Sequence, residues 1–243
     1  MSMLVFHNLM TSSHLRVPET SGMNEKPVVV LTGFGPFGQY KTNASWEVVK
    51  AVKDLGVDDL GIHLETKEIQ VSYKTVLEEI PKLWLEFKPT LVIHLGVSAA
   101  ATELTIESCA HKSGYRRCDV SGKLPPDGKC VNGVCEDVYS ELDLQKVVGD
   151  MNNTNIGVSA TISNNAGRYL CEFIYYTSLC IDNRHTLFIH VPDIGKPYTL
   201  EQMAQGIKVI IGSIMDQIGR NSNCENVQLS AQDQACSVKC NEI

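Results

Sequence analysis

The fold is decided by a continuous apolar, β-branched stretch, Pro27-Val28-Val29-Val30-Leu31-Thr32. A run without alternating polar residues is typical of a strand buried on both faces, as in a parallel sheet. A glycine- and proline-rich loop over residues 33–41 follows it directly, and Asn43 is placed to cap a helix that starts there. The opening therefore predicts a buried strand, a loop and a helix in immediate succession.

The same alternation of strand and helix continues along the chain. Further strands are predicted at 62–71, 91–96, 103–109, 157–163 and 186–191, and helices at 73–87, 142–151, 166–181 and 200–218. Pro81 is expected to kink or split its helix. The alternation predicts βαβ units with right-handed crossovers, and so a mainly parallel sheet covered by helices on both faces. Sites in such sheets lie beyond the C-terminal ends of strands.

The composition excludes several classes of protein. The chain has 243 residues, with 21 Lys and Arg against 28 Asp and Glu, so its net charge is −7. A net acidic chain without a basic cluster argues against nucleic-acid binding. No apolar run reaches the ~18–20 residues that a membrane span needs, so no membrane association is expected. At 43% hydrophobic residues the chain is too apolar to be disordered.

Patterning along the chain divides it into three parts. Residues 1–25 show no hydrophobic period and are predicted to be a flexible N-terminal extension, and the polar residues 221–243 a flexible tail. Between them, residues 26–220 are predicted to form a single α/β domain that carries the site. Within it, residues 110–137 combine Gly, Pro, Lys and three cysteines, and we expect an exposed, irregular loop there.

The cysteines indicate the cellular compartment in which the protein is found. There are nine, and an odd number cannot pair completely within one chain. The first ten residues offer neither the basic region nor the long apolar core of a secretory signal. We therefore expect a cytoplasmic protein whose thiols are reduced, which leaves one of them available as a nucleophile.

A zinc site is one alternative for the cysteines. Cys109, Cys118, Cys130 and Cys135 share one region of the chain, with His111 between them. Structural zinc sites normally use pairs of cysteines two to four residues apart. Only Cys130 and Cys135 come near this spacing, so no bound metal is expected.

The loop Gly33-Phe34-Gly35-Pro36-Phe37-Gly38 matches G-x-G-x-x-G directly after a strand, which indicates a Rossmann-like, dinucleotide-binding oxidoreductase as an alternative function. Three features weigh against it. Two Phe crowd the loop, the helix starts about a turn late for its N-terminus to face a phosphate, and no acidic residue ends the second strand. The other interpretations are an aromatic-walled pocket for a small uncharged ring, or a tight turn with two core Phe.

A cysteine and a histidine are predicted to meet at the sheet edge. Cys171 lies early in a helix that follows a buried strand, where backbone N–H groups and the helix dipole favour a thiolate. His190 ends the next strand, and neighbouring strands lie ~4.8 Å apart. Cys with His is the minimal activated nucleophile. Cys180, deeper in the same helix, and His94, in mid-strand, are interpreted as core residues.

A third group should orient the imidazole. Glu107 is a lone carboxylate near the end of the apolar strand 103–109, where a buried charge needs a partner. It is therefore the candidate acid, and the alternative is an ordinary salt bridge with Lys or Arg.

Several motifs, taken in order, resemble those of one family. They are Val29-Val30-Leu31-Thr32-Gly33-Phe34-Gly35-Pro36-Phe37-Gly38, Asn43-Ala44-Ser45-Trp46, His94-Leu95-Gly96-Val97-Ser98, Thr105-Ile106-Glu107, Ala166-Gly167-Arg168-Tyr169-Leu170-Cys171 and Ile189-His190-Val191-Pro192. Together they resemble pyroglutamyl peptidase type I, also called pyrrolidone-carboxylate peptidase, in its animal form. The resemblance covers residues 27–218.

The resemblance implies a three-layer α/β/α sandwich and a cysteine peptidase that removes N-terminal pyroglutamate from peptides through a thioester, without a cofactor. It maps the nucleophile to Cys171, the base to His190 and the orienting acid to Glu107. It also implies that Phe34 and Phe37 wall the pyrrolidone ring and that Asn43 helps to bind it. The family includes monomers and tetramers, which leaves the oligomeric state open.

The sequence departs from the bacterial members of this family at two places. Their ring-contacting Gln after the third strand is replaced by the stretch Val97-Ser98-Ala99. Their loop Arg, which helps to form the oxyanion hole, has only Arg116 and Arg117 as candidate counterparts.

Overall fold

The computed structural model describes residues 25–38, 41–131 and 133–238, with side chains described as far as residue 221. The strands are β1 (Val28–Phe34), β2 (His63–Ile69), β3 (Leu91–Val97), β4 (Leu104–Glu107), β5 (Cys109–His111), β6 (Asp137–Tyr139), β7 (Ala160–Ser163) and β8 (Thr186–Val191). The helices are α1 (Ala44–Leu55), α2 (Tyr73–Phe87), α3 (Leu144–Asn152), α4 (Leu170–Leu179) and α5 (Leu200–Val238).

Six strands form the central sheet in the order β2-β1-β3-β8-β4-β7. β2, β1, β3 and β8 run parallel to one another, whereas β4 pairs antiparallel with β8 and parallel with β7. The expected mainly parallel sheet is therefore confirmed, and β4 and β7 reverse its direction at one side.

Helices cover both faces of the sheet. Alternate strand residues such as Leu31, Ile93 and Ile189 pack in one core cluster with α1, α3 and α5. The residues between them face α2 and α4, where Phe188 joins a second cluster. This period of two follows from the pleat of the strands, and the resulting three layers confirm the expected α/β/α sandwich.

Helix α2 passes through Pro81 without a break. We predicted that Pro81 kinks or splits this helix; the split is wrong, and the kink stays a prediction. Val76, Ile80 and Leu83 are buried on both sides of the proline, and this packing outweighs the backbone hydrogen bond that a proline removes.

The segment 110–137 is more ordered than the exposed, irregular loop that we expected. β5 and β6 pair as a small antiparallel sheet. Tyr115 and Cys130 are buried, and the Tyr115 ring packs edge-on against Phe173 at a centroid distance of 5.1 Å. The apolar residues of this segment are too few and too widely spaced to show a period, which is why its buried part was missed.

Helix α5 extends past its predicted end at Ile218 and continues through residues 219–238, which include most of the predicted flexible tail. The regular apolar spacing stops at Ile218, so the pattern carried no signal beyond that point. Residues 1–24 of the predicted extension and residues 239–243 lie outside the described residues. No described helix combines the length and apolar character needed to cross a membrane.

Candidate active site

Cys171 and His190 lie at the same edge of the sheet, above a glycine. Cys171 is the second residue of α4, and His190 pairs in register with Gly96 of β3. A Cβ atom added to Gly96 would lie 2.7 Å from the Cys171 Sγ and 2.6 Å from the Phe188 Cζ. The space in which the thiol sits therefore exists because residue 96 has no side chain, a role that no sequence pattern indicated.

Glu107 approaches His190 from the antiparallel strand. In the β4–β8 register Thr105 is opposite His190, and Glu107 is opposite Phe188. Glu107 and His190 are therefore diagonal neighbours on one face, and the distance from Glu107 Oε1 to His190 Nδ1 is 2.8 Å. Both side chains are buried, with residue exposures of 1% for Glu107 and 9% for His190. The structure thus brings all three candidate catalytic residues together.

The electrostatics of this group favour a charged imidazole. Burial lowers the pKa of His190, but the charge of Cys171, the hydrogen bond with its thiol and the hydrogen bond and charge of Glu107 together raise it to about 10. The second carboxylate oxygen of Glu107 is buried and has no hydrogen-bond partner among the described residues. A buried carboxylate needs compensation, so its interaction with imidazolium is the one that offsets its burial.

A small cavity of about 110 Å³ opens beside the thiol. It is lined by Phe34, Phe37, Asn43, Val71, Val97, Arg117, Tyr169, Leu170 and Cys171. All three residues predicted to bind the substrate therefore share one cavity with the predicted nucleophile. None of the described residues that line it is acidic, and its walls are mostly apolar, so it suits a small, uncharged ring.

Asn43 fixes the aromatic loop. Its Oδ1 accepts hydrogen bonds from the N–H and the hydroxyl of Ser45, at 3.1 and 2.9 Å, which caps α1. Its Nδ2 donates to the carbonyl of Gly35 at 3.0 Å, and the Ser45 hydroxyl accepts from the N–H of Phe34. These bonds hold the wall of the cavity in place.

The dinucleotide alternative gains no support from this loop. A Cβ on Gly33 would lie 2.7 Å from the carbonyl oxygen of Ser45, so this glycine allows β1 to pack closely against the start of α1. The N-terminus of α1 is capped by the Asn43 side chain, and a phosphate would have to displace it.

His94 and Cys180, which the sequence predicted to be core residues, occupy structural positions. His94 is fully buried, and its Nδ1 lies 2.7 Å from the Thr32 hydroxyl. Burial lowers the pKa of His94 to about 3, so the ring is neutral. Cys180 lies half-buried at the C-terminal end of α4, and burial raises the pKa of its thiol. Among the described residues, no three His, Cys, Asp or Glu side chains are grouped to hold a metal ion.

A buried ionic cluster next to the nucleophile was not predicted. The Glu172 side chain is fully buried and accepts hydrogen bonds from Arg168 Nη1 at 2.7 and 2.9 Å. His111 Nδ1 lies 2.7 Å from the same carboxylate. Burial raises the pKa of Glu172, and His111 and Arg168 oppose that effect. The cluster joins the start of α4 to β5, and its only sequence signal is the i, i+4 spacing of Arg168 and Glu172.

The two candidate loop arginines separate in the structure. Arg117 lines the cavity beside Cys171, whereas Arg116 lines another cavity together with Ser113 and Leu124. Of the two, only Arg117 is placed to meet a ligand held by the thiol.

Comparisons with known proteins agree with this arrangement. A family model for pyroglutamyl peptidases matches residues 27–220. Human pyroglutamyl-peptidase 1 is 42% identical over 191 residues, which cover 79% of this chain and 91% of the human protein. The pyrrolidone-carboxylate peptidase of Thermococcus onnurineus is 31% identical over 202 residues, covering 75% of this chain and 96% of that protein.

A solved structure has the same fold. A mutant pyrrolidone carboxyl peptidase from Pyrococcus furiosus matches with a TM-score of 0.69 at 27% identity, covering 79% of this chain and 99% of that one. The resemblance expected from the sequence motifs is therefore confirmed. The chain belongs to the pyroglutamyl peptidase family, type I, in its animal form.

Proposed function

We propose that the protein hydrolyses the peptide bond that follows an N-terminal pyroglutamyl residue, with Cys171 as nucleophile, His190 as acid and base, and Glu107 as the group that orients the imidazole. The observation that carries this proposal is the cavity in which Phe34, Phe37 and Asn43 adjoin the thiol of Cys171. It supports the proposal because a small, mostly apolar pocket adjoins the thiol that is proposed as the nucleophile.

In the first step His190 takes the proton of Cys171, and the thiolate attacks the pyroglutamyl carbonyl. The N–H groups in the first turn of a helix have no partner within that helix. The N–H of Cys171, at the second position of α4, can therefore donate to the developing oxyanion, and the positive end of the helix dipole favours the same charge.

Breakdown of the tetrahedral intermediate requires an acid. The imidazolium of His190 donates its proton to the leaving amine, which departs as the shortened peptide and leaves a thioester on Cys171. The thiolate is one of the groups that raise the pKa of His190, and the thioester carries no charge. The pKa of His190 therefore falls in the acyl-enzyme. The neutral ring can then take a proton from a water molecule as that water attacks and hydrolyses the thioester.

The pocket accounts for the choice of a pyroglutamyl residue. A lactam ring carries no charge, whereas proline, of similar size, carries a charged amine. Burying that amine against Phe34 and Phe37 without an acidic partner is costly, and the described residues that line the cavity provide none. Prolyl peptides should therefore be rejected.

The test is release of a fluorophore from a pyroglutamyl amide, with the prolyl amide as the control. We expect cleavage of the first and no measurable cleavage of the second. Equal cleavage of both, or cleavage of neither, would contradict the proposal.

The site of action is proposed to be the cytoplasm. The support is the thiol content: all six cysteines whose side chains the structure describes are free, and free thiols persist in reducing compartments. Titration of the purified, denatured protein with a thiol reagent should find nine reactive thiols. Disulfide-linked peptides in a digest of freshly prepared protein would count against this location.

A further inference from the structure

A wider groove adjoins the ring pocket. It has a volume of about 550 Å³ and runs between residues 36–38 on one side and residues 117–120 on the other, with Tyr169 beside them. Phe37, Arg117 and Tyr169 line both spaces, so the groove and the ring pocket meet at these residues. If the ring of a substrate occupies the pocket, as the proposed function requires, the groove is open to the rest of the peptide.

Arg117 is held in place at this junction. Its guanidinium carbon lies 4.4 Å from the centroid of the Tyr169 ring, a cation–π contact. The Tyr169 hydroxyl donates to the carbonyl of Cys118 at 3.1 Å, and the Tyr73 hydroxyl donates to the carbonyl of Arg117 at 2.9 Å. Backbone and side chain are therefore both positioned, which lowers the entropy lost when the guanidinium binds a ligand.

Among the described residues, no carboxylate matches the charge of Arg117. The arginine ion pairs there are those of Arg168 with Glu172 and of Arg184 with Asp182. Asp119, the acidic residue in the groove, is only 7% exposed. Its oxygens accept hydrogen bonds from the backbone N–H groups of Tyr73, Ser121 and Lys123 at 3.1, 2.8 and 2.9 Å. These bonds lower the pKa of Asp119 against the effect of its burial, and they leave its carboxylate occupied.

We propose that Arg117 selects peptides that carry a carboxylate shortly after the pyroglutamyl residue. The carboxylate is either the side chain of an acidic residue or the C-terminal group of a short peptide. A guanidinium can stack its face on an aromatic ring while its edge pairs with a carboxylate through two hydrogen bonds. The guanidinium of Arg117 lies over the Tyr169 ring, and no ion pair with a described carboxylate occupies its N–H groups, so they are available to the substrate. This inference rests on the proposed function.

The test compares kcat/KM for four substrates: pyroglutamyl-Glu-Ala-amide, pyroglutamyl-Gln-Ala-amide, pyroglutamyl-Ala and pyroglutamyl-Ala-amide. The wild type should favour the acidic member of at least one pair by about two- to fivefold at low salt, the range of an exposed ion pair. The first two substrates form a pair that tests a side-chain carboxylate, and the last two form a pair that tests a C-terminal carboxylate. The preference should shrink at 0.5 M NaCl because salt screens exposed charges.

Three arginine variants make the result specific. Arg117→Gln should bring the acidic-to-neutral ratio to about one at every salt concentration, and Arg117→Lys should restore part of the preference. Arg116→Gln removes the same charge from the neighbouring residue, which lines a different cavity, and should keep the wild-type ratio.

Three outcomes would overturn the inference. The first is that the two members of each pair have equal kcat/KM in the wild type. The others are that Arg117→Gln keeps the acidic-to-neutral ratio of the wild type, or that Arg116→Gln loses the preference as fully as Arg117→Gln does. These outcomes do not contradict the proposed function as long as pyroglutamyl substrates are cleaved. Failure to cleave any of the four substrates would refute both together.

Discussion

Glu107 and His190 meet diagonally across the antiparallel β4–β8 pair, with 2.8 Å between Oε1 and Nδ1. The carboxylate holds one ring nitrogen, so the other is directed to the remaining partner of the ring, the thiol of Cys171. This bond also fixes the tautomer of the neutral ring.

Replacing Glu107 with Gln should leave a folded but impaired enzyme. The amide can still bond to the ring, but it cannot stabilise the imidazolium, so we expect kcat to fall by roughly 100-fold or more. The pKa of His190 should also fall, because Glu107 is one of the groups that raise it. The pH dependence of Cys171 alkylation would report this shift, and thermal unfolding would check the fold. A wild-type kcat in this variant would return Glu107 to a structural role.

Cys171 should be the most reactive thiol of the protein. It lies at the start of α4 and is hydrogen-bonded to His190, which can take its proton during the reaction with an electrophile. Iodoacetamide at limiting concentration should modify Cys171 before the other cysteines, as measured by mass spectrometry of the digest. Cys171→Ala should have no activity.

Cys180→Ala is the matched control, because Cys180 lies at the other end of the same helix. It should keep the activity and the alkylation rate of the wild type. Preferential alkylation of another cysteine, or turnover by Cys171→Ala, would refute the assignment.

The two phenylalanines of the loop should contribute to substrate binding. Phe34 is only 3% exposed, so Phe34→Leu is preferable to alanine, whereas Phe37 is partly exposed and Phe37→Ala is suitable. Each variant should lower kcat/KM for a pyroglutamyl substrate by about tenfold, as expected for a misfitted apolar group. Alkylation by iodoacetamide, which does not need the pocket, should stay unchanged. Normal kcat/KM in both variants would place the ring elsewhere.

Gly96 should not tolerate a side chain. A Cβ there would lie within 3.0 Å of the Cys171 Sγ and of the buried Phe188 ring, so Gly96→Ala should lower both Tm and kcat. Gly149→Ala is the control, since a Cβ at that position in α3 meets no atom within 4 Å. This control should be as stable as the wild type or more so by up to about 1 kcal/mol. Wild-type kinetics and Tm in Gly96→Ala would show that the thiol can sit elsewhere.

His94 should make the fold sensitive to acid. Its pKa is about 3 in the folded protein and 6.5 for an ordinary histidine. Above pH 6.5 the ring is neutral in both states and has no effect. Below pH 6.5 the unfolded chain binds a proton that the folded one cannot, so the free energy of unfolding falls by up to about 1.4 kcal/mol per pH unit until about pH 3.

Denaturant unfolding at pH 7, 6 and 5 measures this loss. The control is His94→Gln, which can still hydrogen-bond to Thr32 but does not titrate. Its stability should fall less steeply over the same range. Parallel curves for the variant and the wild type would mean that other groups cause the loss.

The strands and helices that carry strong patterns were predictable from the sequence. The observed bounds of α2 and β8 are those predicted, and Asn43 caps α1 as expected. Their apolar spacing and capping residue are local signals, so no knowledge of the tertiary structure was needed. Sites in parallel sheets lie beyond the C-terminal ends of the strands, and this principle predicted that Cys171 and His190 lie close together.

What the sequence could not provide depends on partners distant in the chain. The direction of β4 is one case, because a four-residue apolar strand has the same pattern whichever way it runs. Gly96 is another, since its lack of a side chain matters only when α4 brings a thiol above it. Glu172 has the spacing of an ordinary surface pair with Arg168, and only the packing of β5 against α4 reveals that it is buried.

The reversed direction of β4 also bears on how the protein folds. The Glu107–His190 contact joins residues 83 positions apart, and it requires β8 to lie beside β4 in the sheet. Closing so long a loop is slow compared with helix formation. Catalytic competence consequently requires strands that are distant in the chain to have paired, and recovery of enzyme activity during refolding reports that pairing.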